Sequence, residues 1–447
     1  MADPDWDSLT QETVRNLSRL LQAQTANPPG NEEPAVEVIR QILEANGFPS
    51  RDLAIVESAP HRVNLVARLP GDGSLRPLLL SGHTDVVPVE RERWARDPFG
   101  GEVVDGEIWG RGALDMKGSL AMYLEVFLMA LRSKARFRRD LILAAVADEE
   151  AGFTHGSKFL TDHHRELIEA EYGITEAGAI TVYVGKARLY PIQVAERGIC
   201  WLRMTASGKP GHGSMPHPDN AILHLAEAIE KIRRVRHLPV HLTSTFLKMM
   251  EAASRQVAFP LSLVPSLLRS PGLAGFLLNR LPEESRGLLS AMVANTVTPT
   301  ILKAGVDTNV IPSVAEALLD CHKLPGQTSQ DVMREIGAIT GNSVTLEVVR
   351  ESPGTEFPVD SPFYRTLEAA ARRMDPQGIF VPMLMPAATD ASHYQRAGVS
   401  VYGFTPGVLP PEFPTFQIGH GHNERLPVSS IRSGLPALWE VLTNTCA

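Results

Sequence analysis

Residues 140–147, DLILAAVA, show no alternation: after the aspartate the run is apolar throughout. A strand solvated on one face alternates apolar and polar residues, whereas a strand covered on both faces does not. The segment therefore predicts a parallel-sheet strand with helices on either side, and the rest of the chain must supply those helices. It does so at 8–46, broken by ANPPGNEE, and at 117–132, KGSLAMYLEVFLMALR, which has helix periodicity and little polar surface. Ser8 with Gln11 three residues on reads as a capping box that starts the first helix. Further strands are read at RVNLVARL (62–69), RPLLLSG (76–82) and GVSVYGFT (398–405), with a hairpin, EVVDGEIWG, turning at Asp105-Gly106. Strands alternating with helices give an α/β architecture.

The texture changes near 198. GICWLRMTASG (198–208) alternates, AILHLAEAIEKIRRV (221–235) is amphipathic, and strand character returns at 313–326 and 343–350 before the α/β pattern resumes with FYRTLEAAARRM. At 447 residues the chain is long for one core. It is read as an α/β domain, 1–197 and 354–447, interrupted by a smaller α+β domain, 198–353. A net charge of -8 argues against a nucleic-acid partner. The three cysteines, Cys200, Cys321 and Cys446, are scattered and form no C-x-x-C pair, which fits a reducing, cytoplasmic setting. The acidic, polar N-terminus is not read as a signal peptide. The most apolar stretch, 257–278, holds three prolines and an arginine, so no stable membrane insertion is expected.

The chemistry sits where strands end. RPLLLSG runs into His83 and Asp85. DLILAAVA runs into Asp148-Glu149-Glu150, and YGI into Thr175-Glu176. Asp115 follows the turn after Trp109, and GHGHNE brings His420, His422 and Glu424. Each piece alone has a plain reading: a hydrogen-bonded His-x-Asp pair, a solvated acidic loop, a helix N-cap at Asp115. Together they differ, because ligands of open α/β sheets gather at the carboxyl ends of strands. That many carboxylates in one crevice would repel and raise each other's pKa. A pair of divalent cations resolves the conflict, and an oxygen-rich set with two or three histidines suits zinc, with cobalt or manganese also admissible.

The motifs SGHTDVVP, GRGALDMKG, DEEAG, GHGSMP, TNVIP and HGHNE, in that order and spacing, resemble the M20 metallopeptidase family, which includes aminoacylases, deacylases and glutamate carboxypeptidases. The resemblance implies a zinc-exopeptidase-like catalytic domain, a mixed sheet flanked by helices, carrying an inserted lid and dimerisation domain. It implies that His83 binds one metal ion, that Asp115 bridges both, that Glu150 and His420 bind the second, and that Glu176 completes the first. Glu149 becomes the general base, with Asp85 orienting His83 through its second ring nitrogen. Extended backbone at 149–150 would point the two glutamates to different sides. In the insert, His212 is implied to meet the oxyanion, often from the partner subunit of a homodimer. Asn295 resembles a substrate-binding asparagine, Asn309 reads as structural, and Asp390, near His393, as a pocket-lining residue.

Two features depart from the resemblance. His322 stands where many relatives have arginine, leaving Arg197 and Lys209 as other partners for a substrate carboxylate. The stretch between the helix at 221 and TNVIP is long and rich in Leu, Phe, Pro and Met. It reads as extra packing or as an apolar wall for a long acyl chain. The function expected is hydrolysis of an amide next to a free carboxylate, in N-acyl amino acids or short peptides. The alternatives are a dipeptidase or carboxypeptidase, and a catalytically inactive metal- or peptide-binding relative. The absence of G-x-S-x-G and H-E-x-x-H disfavours a serine hydrolase or a helix-borne zinc site.

Overall fold

In chain order the strands are β1 (Leu53–Ala59), β2 (Arg62–Leu69), β3 (Leu78–His83), β4 (Glu102–Val104), β5 (Glu107–Trp109), β6 (Leu141–Val146), β7 (Tyr172–Thr175), β8 (Val182–Val184), β9 (Ala187–Glu196), β10 (Gly198–Ser207), β11 (Gly211–His212), β12 (Thr296–Ala304), β13 (Val310–Ile311), β14 (Val314–Lys323), β15 (Thr345–Glu351), β16 (Thr355–Glu356), β17 (Ile379–Met385), β18 (Ser400–Gly403) and β19 (Arg425–Pro427). The computed structural model describes residues 4–254, 268–280 and 283–447. The chain divides into two compact units: 1–194 with 357–381 and 389–447, and 195–356 with 382–388. The insert expected at 198–353 thus gains a few residues at each end, and the 382–388 segment joins it.

The first unit is built on a mixed sheet in the order β1-β2-β6-β3-β7-β18-β9. Strand β6 is buried along its whole length, as its unbroken apolar run requires. It runs parallel to β3, which runs parallel to β7, which runs parallel to β18; β2 on one side and β9 on the other are antiparallel. Register sets the edge of the parallel block: His83 lies opposite Val146, and Thr175 opposite Gly403. Whatever follows β3, β6 and β7 therefore emerges on one side of the sheet.

The helix Lys117–Ser133 packs on β3 and β6, and Trp6–Gln22 and Val428–Cys446 pack against it. Its residues from Lys117 to Ala130 are all buried, which explains why it shows so little polar surface. The first helix begins earlier than the Ser8 capping box predicts. Asp5 is the cap, accepting from the Ser8 N–H at 3.1 Å, so Ser8 already lies inside the first turn. A small sheet, β4-β5-β19, pairs Trp109 with Arg425 and so brings the segment before Asp115 beside the segment after His420.

The second unit is a four-stranded antiparallel sheet, β12-β14-β10-β15. One face is covered by the helices Ala221–Arg234 and Ser329–Thr340. Leu202, Met204, Ala317 and Leu319 meet Leu225, Ile232, Val332 and Ile336 there. The ribbon β11–β13 pairs His212 with Val310, joining GHGSMP to TNVIP. Residues 257–267 of the apolar stretch lie outside the described residues; 271–278 form the helix Pro271–Leu278. No helix among the described residues is long and apolar enough to cross a membrane.

Candidate metal centre

Parallel register delivers four of the acidic and imidazole groups to one edge: His83 at the end of β3, Glu149-Glu150 beyond β6, and Glu176 beyond β7. The loops that carry them take backbone conformations unusual for side-chain-bearing residues. Asp148, Ala177 and His420 all have φ near +60°. Left-handed residues of this kind cost free energy and cluster where a site dictates the backbone. The GRGALDMKG turn needs its glycines for space. A Cβ on Gly118 would lie 2.1 Å from the Ala113 carbonyl oxygen, and Gly112 has φ +92°.

Asp115 lies between two imidazoles. His83 Nε2 is 3.1 Å from its Oδ1, and His420 Nε2 is 3.1 Å from its Oδ2. His420 Nε2 is also 3.0 Å from Glu150 Oε1, and His83 Nε2 is 3.6 Å from Glu176 Oε2. Two overlapping donor groups result, one of His83, Glu149 and Glu176 and one of His83, Asp115 and Glu150, with donor atoms within 4.8 Å of one another. Geometry alone thus counts Glu149 with the donors of the first group.

The electrostatics show what the cluster lacks. Burial and the neighbouring Glu176 charge push the Glu149 carboxyl well up. Burial pushes Glu150 to about 7 and raises Glu176. Burial would also raise Asp115, but the hydrogen bonds from His420 and His83 outweigh it and hold Asp115 below the usual carboxylate range. The same bonds, to Asp115 and then to Glu150, push His420 to about 10. His83 is raised although burial opposes its charge, because Glu176 and Asp115 lie beside it. No lysine or arginine among the described residues pairs with Asp115, Glu149, Glu150 or Glu176, and the buried Oε1 of Glu176 has no hydrogen-bond partner. Four carboxylates sharing two imidazoles and no fixed cation form a donor set that fits divalent metal ions.

Several sequence expectations change. The orienting contact on His83 Nδ1 is the main-chain carbonyl of Asp85 at 2.9 Å; the Asp85 carboxylate is 3.6 Å away. That carboxylate instead accepts the N–H groups of Glu149 and Glu150 at 3.1 and 3.2 Å and the Asn27 amide at 2.8 Å. Asp85 therefore holds the loop of the two glutamates. Their divergence does not come from strand pleating either, because β6 ends at Val146 and residues 149–152 form a turn. Asp148 is no part of a solvated loop: it pairs with Arg62 at 2.7 Å and accepts from Asn27 and the His155 N–H. Arg62 also holds Glu32. Glu424 is buried against Arg111 at 2.5 Å, away from the donor set, and no contact brings His422 to the donors. The sequence read none of Asn27, Glu32, Arg62 and Arg111 as part of the site. Asn27 and Glu32 lie in the ANPPGNEE breaker, whose prolines and four polar side chains read only as a loop.

Asp390, at the start of the helix Ala391–Arg396, is fully buried. Its Oδ1 accepts from the Ser157 hydroxyl at 2.5 Å, its Oδ2 has no partner, and burial pushes its carboxyl to about 7. His393 packs against Phe153 with the rings tilted, centroids 5.1 Å apart. In the second unit, Asn295 is buried with both amide atoms engaged, donating to Glu335 and accepting from the Leu324 N–H. It ties strands to a helix and presents no free amide. His322 lies 3.3 Å from Asp320, and its carbonyl accepts from the buried Arg197. His212 is exposed, and its Nδ1 accepts the Ser214 N–H at 3.2 Å. In the neutral ring that leaves the proton on Nε2.

Carboxylates and imidazoles that converge at the carboxyl ends of parallel strands, with no fixed countercharge, define a metal-dependent hydrolase. Residues 79–444 match peptidase family M20/M25/M40, and the chain belongs to that family. It is similar to N-fatty-acyl-amino acid synthase/hydrolase PM20D1 of Homo sapiens, 29% identical over 381 residues, covering 83% of this chain and 75% of that one. It is also similar to aminoacylase-1 of Sus scrofa, 27% identical over 447 residues, covering 96% and 94%. In fold it resembles the M20 family metallo-carboxypeptidase Sso-CP2 from Sulfolobus solfataricus, with a TM-score of 0.71, 17% identity and coverage of 96% and 98%.

Proposed function

We propose that this chain hydrolyses the amide bond of N-acyl amino acids, with long acyl chains among its substrates. The observation that carries the reaction type is the set of four half-buried carboxylates that share two imidazoles and, among the described residues, no lysine or arginine. In this reading His83, Asp115 and Glu176 hold one ion, and Asp115, Glu150 and His420 hold the other. Zinc suits the set best, with cobalt or manganese as substitutes. Two such ions supply Lewis acidity and acidify water at the site.

The protein's own groups do the rest. Asp85 fixes the Glu149 N–H, so the Glu149 carboxylate is held beside the donors, where it takes a proton from water and returns it to the leaving nitrogen. His212 offers an Nε2–H to the developing oxyanion, contributed across a homodimer formed by the second unit. Asp390 lines the pocket. The three free cysteines support a reducing, cytoplasmic setting.

The substrate class draws on the names of the two curated relatives, one acting on N-fatty-acyl amino acids and one an aminoacylase. The apolar helix Pro271–Leu278, with Phe276 exposed, supports the long-chain preference. A panel of N-acetyl, N-oleoyl and dipeptide substrates with metal-loaded protein tests it. Faster turnover of N-oleoyl than N-acetyl amino acids is expected. Preference for dipeptides would make the protein a peptidase, and metal binding without turnover of any amide would make it an inactive relative.

A further inference from the structure

We infer that Arg111 and Glu424 are a positioning pair that sets the affinity of the metal centre by fixing the two loops that carry Asp115 and His420. This rests on the two-ion reading above. Regular pairing between the two loops ends at Trp109 and Arg425, short of both ligands. Beyond it neither loop has helix or strand until Lys117 on one side and Ile418 on the other, and His420 and Asn423 have left-handed backbone.

The gap is spanned by one buried ion pair. The Glu424 carboxylate accepts from Arg111 Nη1 at 2.5 Å and from the N–H groups of Gly112, Leu114 and Asp115 at 3.1, 2.8 and 3.0 Å. Its own carbonyl accepts the Gly110 N–H. Arg111 Nη2 in turn donates to the carbonyls of His420 at 3.3 Å and Gly421 at 2.7 Å. Glu424 therefore grips the backbone of Asp115, and Arg111 grips the backbone of His420. Burial pushes the Glu424 carboxyl up, while Arg111 and the backbone N–H groups oppose it. Four donors thus converge on its two oxygens.

Neither residue reaches the donor atoms, so their effect passes through the ligands they hold. Supports of this kind are worth about 10–100-fold in metal affinity. Loosening Arg111 frees the His420 loop and should weaken one ion selectively. Loosening Glu424 frees Asp115, which both ions share, and should weaken both.

The test is calorimetric titration of chelated, full-length protein with zinc, for the unmodified chain, Arg111→Lys and Glu424→Gln. Metal-free melting is recorded in parallel. Two binding events are expected for the unmodified chain. Arg111→Lys should keep one event and weaken the other by about 10–100-fold, with the metal-free protein still folded and activity recovered by excess zinc. Glu424→Gln should weaken both. Unchanged titrations in both variants would overturn the inference. So would loss of metal-free folding in both, or weakening that merely follows lost stability, since the pair would then be only a strut. If the unmodified chain binds no pair of ions, the two-ion reading itself fails.

Discussion

Two sets of carboxylates, one buried and one half-buried, lie near the carboxyl ends of the parallel strands, and they are neutralised in opposite ways. Glu32 and Asp148 share Arg62, Glu424 has Arg111, and the Asp85 carboxylate collects backbone and amide N–H groups. Among the described residues, Asp115, Glu149, Glu150 and Glu176 have only His83 and His420 between them. A carboxylate matched to a guanidinium has its countercharge within the chain, and its work is to hold backbone. A carboxylate left unmatched in a half-buried place waits for a charge from outside. The contrast separates scaffold from centre more sharply than residue type does, since Asp148, Glu149 and Glu150 are neighbours in sequence and fall on different sides of it.

Removing the shared ligand should do most damage. Asp115→Ala is expected to lose both ions by elemental analysis and to drop turnover to the detection limit, with the fold retained by circular dichroism. Retention of two ions would remove Asp115 from the centre.

Glu149→Gln should keep its metal and lose activity on the order of 10²–10⁴-fold. If it loses metal while Glu150→Gln keeps it, the roles of the two glutamates exchange.

On the matched side, Arg62→Met should leave Glu32 and Asp148 buried without a countercharge. A cost of about 3–5 kcal/mol in denaturant unfolding is expected. A change near zero would mean that these carboxylates do not depend on their arginine.

The smallest effect concerns a carboxylate that belongs to neither set. Glu125 is buried inside the helix Lys117–Ser133, 3.4 Å from an Arg132 that also serves Glu12. Burial pushes it to about 7, with Glu12 adding to the rise. A carboxyl raised in the folded state binds a proton there that the unfolded chain releases near 4.3. Its contribution is therefore intact in acid and lost as pH rises through about 7. Glu125→Gln should stabilise the protein at pH 8 on the order of 2 kcal/mol and have little effect at pH 5. Equal effects at both pH values would show that the helix relieves this charge by other means.

Much of this was legible in the chain. The unbroken run before Asp148 required a strand buried on both faces, and β6 is one. The hairpin at Asp105-Gly106 follows from two residues that tolerate positive φ, and both have it. Strand-end chemistry pointed to the acids and histidines at 83–85, 148–150 and 176 as a group, because parallel strands must deliver their carboxyl ends to one edge; the family resemblance is what singled out His83, Asp115, Glu150, Glu176 and His420 as ligands.

What local pattern could not supply was which buried charge meets which. Arg111 and Glu424 are 313 residues apart, and Arg62 and Asp148 are 86 apart. No periodicity links such pairs, so the sequence could not separate Asp148 from Glu149, nor see that Asp85 serves the glutamate loop. The sequence by itself determined the secondary structure and the edge at which the acids gather, since both follow from burial and periodicity along a short stretch. Only the tertiary structure decided which acids are met by arginine and which are left open, since that depends on distances between segments that share no local signal.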